Sequence, residues 1–144
     1  MHSPLYQRVA LALLRIVAPA VMMQHGVQKL FGLLGGFGPD HGTAPLMSIF
    51  GLAGVLETFV ALLVLVGLFT RPAAFLLAGE MAVAFFMAHF PRDLWPIHNG
   101  GETPVLLCFI YLFFAAFGAG SFSLDALLAR RSAAESAEAA VHAA

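Results

Sequence analysis

Four long apolar stretches, at about 9–33, 48–69, 73–90 and 103–119, alternate along the chain with short segments rich in glycine, proline and charge. Each stretch is near the roughly 20 residues that cross hydrocarbon as a helix. Within lipid the backbone must satisfy its own hydrogen bonds, so such segments are helices. The pattern predicts an all-α fold, an integral membrane four-helix bundle with a short C-terminal interfacial helix. That last element is Ser121 to Leu128, an amphipathic run capped by Ser121 or by Ser123. Residues 1–128 then form a single four-span domain, and 129–144 form an Ala-rich tail expected to be flexible.

The breaks between the stretches carry turn chemistry. Gly35 to Thr43 holds four glycines and Pro39, so it ends a helix and is either mobile or folded back over the bundle end. Thr70-Arg71-Pro72 is a tight turn, and Trp95 in the loop from Pro91 to His98 suits an interfacial anchor. The fourth helix starts either with Asn99 as N-cap and Glu102 at N3, or with Thr103 as N-cap and Pro104 at N1. Pro19, inside the first stretch, removes the bond to the Arg15 carbonyl and predicts a kink.

Polar residues inside the apolar stretches are the candidate chemistry. His25 and Lys29 are four apart, as are Gln24 and Gln28, so two adjacent polar rows share one side of the first helix. A charge at mid-membrane costs roughly 2.5 to 3.5 kcal/mol on insertion scales, which favours placement against partners in the interior. Glu57 lies beside a stripe of Gly51, Gly54 and Ala61, and Glu80 lies in the middle of the third stretch. Glu80 and His89 are nine apart, about 180° on a regular helix, so they share a face only if the helix is distorted. With Asn99 and Glu102 these groups form a column from mid-membrane to one surface, and Arg15 alone lies in the other half. His25, Lys29, Glu57, Glu80, His89, Asn99 and Glu102 are therefore the candidate ligand-binding or proton-transfer residues. For His25 with Lys29 the alternatives are a proton-exchanging or anion-binding pair, and an ion pair to Glu57 or Glu80 that only fixes packing. The two carboxylates are either structural counter-ions or proton-transfer groups.

Composition narrows the class. The chain is 60% hydrophobic and 10% charged, against about 25% charged for soluble domains. A net charge of -1 without a basic patch excludes nucleic acid as a partner. Cys108 is the one cysteine and lies in an apolar run, so it reads as a small packing residue and redox chemistry needs a bound cofactor or a partner. Ala18-Pro19-Ala20 imitates a signal-cleavage site, but Arg15 interrupts the apolar region and Pro19 sits in the site, so cleavage is not expected. His89, His98 and Glu102 lack paired-ligand spacing, so no metal is assigned. His25 with His89 is the one pair whose depth suits haem, which would leave Lys29 and the carboxylates unexplained. Arg8, Arg71, Arg130 and Arg131 fall on one side, which places both termini in the cytoplasm.

The patches His25-Gly26-x-x-Lys29-Leu30-Phe31-Gly32, Gly54-x-x-Glu57, Gly79-Glu80-Met81-Ala82-x-Ala84 with His89, Asn99-Gly100-Gly101-Glu102 and Ser123-Leu124-Asp125, in this order, resemble the DoxX family over about residues 9 to 128. The resemblance implies a small four-helix protein of the bacterial cytoplasmic (inner) membrane. It also implies kinship with the DoxD-type subunit that passes thiosulfate electrons to quinone, and association with quinone resistance and with partners handling oxidative and thiol stress. The chain is shorter than DoxD-type subunits, which speaks against direct thiosulfate oxidation. The expected function is a quinone-linked or oxidative-stress-related redox component; with no complete catalytic constellation present, an enzymatic role would be that of a subunit of a quinone-dependent oxidoreductase. The alternatives are a non-catalytic membrane anchor or small-ligand-binding module for soluble redox partners, and a proton-coupled carrier. Expected partners are membrane lipid, a soluble redox protein and a second copy of the chain, meeting through the Gly51 and Gly54 face.

Overall fold

The computed structural model describes residues 4–142. The fold is all-helical. Helix α1 spans Leu5–Phe31, α2 Ile49–Val66, α3 Thr70–His89, α4 Pro96–Asn99, α5 Glu102–Phe117 and α6 Leu124–His142. Three of these, α1, α2 and α3, are long and apolar enough to cross a membrane, and α5 is a shorter apolar helix of 16 residues. Their ends fall within a few residues of those expected from hydropathy. α1 runs on through Pro19, which is buried. Gly32 and Gly67 stop α1 and α2 in the left-handed conformation, with φ of 66° and 73°, where glycine alone carries no Cβ penalty.

Helix α1 packs along the length of α2, and α3 packs on α5. The two pairs meet around a core of Met22, Val64, Ala74, Leu77, Tyr111 and Phe114. The approach of α1 to α2 is set at Gly26, where a Cβ would run into Thr58 Oγ1, the Thr58 nitrogen and the Glu57 carbonyl carbon. Only glycine lets the two backbones come this close.

The C-terminal segment is tied into the bundle end that carries the termini. Asp125 accepts hydrogen bonds from the Phe69 and Thr70 backbone nitrogens at 2.8 and 3.0 Å, capping the start of α3. Arg15, buried in α1, donates from Nη2 to the Phe122 carbonyl at 2.5 Å. Arg8 donates to Ser121 Oγ at 2.6 Å and lies over the Phe122 ring. Of the two serines, Ser123 caps α6, accepting from the Ala126 nitrogen at 3.2 Å. In place of a short interfacial helix followed by a loose tail, α6 is 19 residues long and reaches His142. Alanine has the highest helix propensity, which favours this extension although Leu127 to Ala139 are exposed.

At the opposite end, the glycine-rich loop folds back over the bundle. The Ala44 nitrogen donates to the Lys29 carbonyl at 2.7 Å, Phe37 pairs with Gly42, and the Phe37 ring packs on Phe50 with centroids 5.2 Å apart. Helix α5 starts from Gly101, not from Asn99 or Thr103 as the sequence suggests. Asn99 is occupied elsewhere, its amide donating to the Asp93 carbonyl and accepting from the Gly101 nitrogen, both at 2.7 Å.

Candidate functional site

Lys29 Nζ donates to both carboxylate oxygens of Glu57, each at 2.5 Å. This pair joins α1 to α2 one helical turn above the Gly26 contact, so close backbone approach and charge pairing support each other. Glu57 sits in a widened turn, Leu56–Val60, in which the Ala61 N–H reaches back five residues to the Leu56 carbonyl. Such insertions recur at functional sites, because they rotate one side chain out of the regular helical register.

Glu80 stands beside this pair, within electrostatic reach of both Glu57 and Lys29. Both Glu80 carboxylate oxygens are enclosed by protein and neither has a hydrogen-bond partner. The Tyr111 hydroxyl, fully buried on α5 and within electrostatic reach of Glu80 and Glu57, is also unpartnered, as is Thr58 Oγ1. The cluster thus sets one cation against two carboxylates and satisfies only one of them. Buried polar atoms are nearly always paired, so the enclosed Glu80 and Tyr111 oxygens mark a place where a proton completes the network.

A second widened turn closes α3, where the Phe90 nitrogen donates to the Phe85 carbonyl, five residues back, at 2.9 Å. It supplies the distortion needed for Glu80 and His89 to share a face. Both line one cavity of about 850 Å³, together with His25, Lys29 and Glu57. The walls are apolar, including Phe50, Phe75, Leu76, Val83 and Met87. These five are also partly or largely exposed on the outer surface of the bundle, so the cavity opens sideways between α2 and α3 onto an apolar surface. Its size and its few polar groups in an apolar lining suit a small-molecule site.

Five of the seven candidate residues therefore come together. Asn99 instead orders the loop before α5, and its carbonyl oxygen lies 3.0 Å from His89 Nδ1, orienting that ring. Glu102 is exposed in the first turn of α5, outside the cavity lining. No group of three or more His, Cys, Asp or Glu side chains able to hold a metal ion occurs among the described residues. His98 is an exposed surface residue 3.6 Å from Asp93. Tyr111 and Thr58 belong to the buried polar cluster without having been singled out from sequence, and Gly79, quoted there only within a motif, lies in the cavity wall. Tyr111 carried a visible signal, a hydroxyl within an otherwise apolar helix.

The sequence profile of the DoxX family matches residues 10–90. A protein of Haemophilus influenzae, described as uncharacterized, is 38% identical over 127 residues, covering 83% of this chain and 91% of its own length. No solved structure matches the chain.

Proposed function

The chain belongs to the DoxX family, and on that premise we propose that this membrane protein binds a lipophilic quinone in the cavity beside Glu80, as a redox component of the bacterial inner membrane. In this reading the chain crosses the membrane four times. The bundle end bearing Arg8, Arg71, Arg130 and Arg131 faces the cytoplasm, and the cavity lies toward the outer face. The observation that carries the proposal is the sideways-opening cavity of about 850 Å³ that brings an ion pair and an unpartnered carboxylate to apolar walls. A membrane-dissolved ring compound enters such a site from lipid without crossing water.

The residues present fit the group. Lys29 keeps a third N–H beyond the two given to Glu57, and His25 lies one turn away on the same face, so both can donate to a ring carbonyl. Glu80 and Tyr111 lie behind them with unused hydrogen-bonding capacity. A bound quinone supplies two-electron, two-proton redox chemistry. Glu80 holds and passes protons, and Glu57 keeps Lys29 charged and in place. Electrons come from a soluble redox partner.

The test is to purify the protein, extract its lipids for quinone, and titrate a soluble quinone analogue against wild type, His25→Ala and Glu80→Gln. Specific binding by wild type that weakens in both variants supports the proposal, and equal, weak binding by all three removes it.

One observation favours a second reading, a non-catalytic module that organises soluble redox partners. The two-pronged closure of Lys29 on Glu57 is also what a purely structural tie between helices looks like. That reading predicts that loss of either partner lowers stability while no variant alters ligand binding.

A further inference from the structure

Four glycines lie inside helices among the described residues, and a neighbour presses on three of them. A Cβ at Gly26 would meet Thr58 and Glu57, one at Gly51 would meet the backbone of Pro45 and Leu46, and one at Gly54 would come within 3.0 Å of the Leu30 side chain. Gly79 is different. A Cβ there would meet nothing within 4 Å, and no left-handed φ requires glycine at that position. Neither packing nor conformation calls for a residue that is unfavourable in a helix interior relative to alanine.

What Gly79 does border is the cavity. It lies in the wall immediately before Glu80, with Leu76 and Val83, each about one turn away on the same face, also in the lining. Between those two side chains the α3 backbone is bare.

We infer that Gly79 is the specificity-determining residue of the cavity, leaving a slot in which a planar ring lies flat on the α3 backbone next to Glu80. Rings of the same polarity that are not flat are excluded by Leu76 and Val83. The inference rests on the reading of the cavity as a ligand site and adds to it the shape of the head group. A methyl group at position 79 projects into the space the ring occupies, while the empty protein accommodates it without rearrangement.

The experiment titrates a benzoquinone with a short alkyl tail into wild type, Gly79→Ala and Gly79→Leu in detergent. A cyclohexanedione with the same tail serves as the non-planar comparison, and melting temperature and oligomeric state are measured in parallel. The expected result is binding weakened about tenfold by alanine and lost with leucine, at melting temperatures no lower than wild type and with oligomeric state unchanged. Wild type is also expected to bind the flat ring more tightly than the non-planar one. Unaltered affinity in the variants, equal binding of the two probes, a lowered melting temperature, or a changed oligomeric state that makes Gly79 a contact between copies would each overturn the inference. Absence of any binding by wild type would overturn the cavity reading as well, whereas wild-type binding matched by both variants would overturn the Gly79 assignment alone.

Discussion

Lys29 closes on Glu57 with both carboxylate oxygens at 2.5 Å, and the two side chains are only 16% and 5% exposed. At that burial, removing one partner strands the other charge, which costs about 3 to 5 kcal/mol. Lys29→Met and Glu57→Leu are each expected to lower the unfolding free energy by about 3 kcal/mol in detergent. The double variant is expected to lose less than either single one, because neither member of the pair is then left facing an apolar replacement. A double-mutant cycle from chemical denaturation measures this, and additive losses would mean that the pair is not coupled.

Glu80 is expected to behave in the opposite way. No N–H or O–H donates to its oxygens, so Glu80→Gln is expected to change stability by less than about 1 kcal/mol and to weaken binding of a soluble quinone analogue. Parallel thermal melts and titrations with a soluble quinone analogue separate the two carboxylates. A large destabilisation by Glu80→Gln would make Glu80 a packing counter-ion.

Gly26 carries the register of α1 against α2. Gly26→Ala drives a Cβ into Thr58 and the Glu57 backbone and is expected to cost about 1 to 3 kcal/mol, with loss of Lys29–Glu57 coupling. Repeating the cycle in the Gly26→Ala background checks this.

The C-terminal segment has its own test. Asp125→Ala removes both acceptors from the first N–H groups of α3, an expected loss of about 1 to 2 kcal/mol, while Asp125→Asn keeps one acceptor and loses less. Limited proteolysis should cut α6 free of the bundle faster in the alanine variant.

The long helices were legible because span length and hydropathy dictate them, and the five polar groups that line the cavity stood out because ionisable groups are rare in apolar spans. The partner of Lys29 was not. Glu57 and Glu80 lie at similar depth, and the choice between them depends on an azimuth set by the Gly26–Thr58 contact. The shared face of His89 and Glu80 was hidden for a related reason: a five-residue turn at Phe85–His89 leaves no mark in a 3.6-residue period. Asn99 has the chemistry of a ligand group, but its amide satisfies the backbone of Asp93 and Gly101. Gly79 is visible as a glycine in sequence, and only the empty space in front of it shows that no packing contact requires it.

A quinone-type ring bound in the cavity between α2 and α3 beside Glu80 can be located by photolabelling with an azido-quinone in native membranes, followed by peptide mapping. Label is expected on Phe50 to Glu57 and on Phe75 to His89, competed by unlabelled quinone and reduced in Glu80→Gln. Label spread over lipid-exposed residues such as Phe109 and Phe117, without competition, would contradict it.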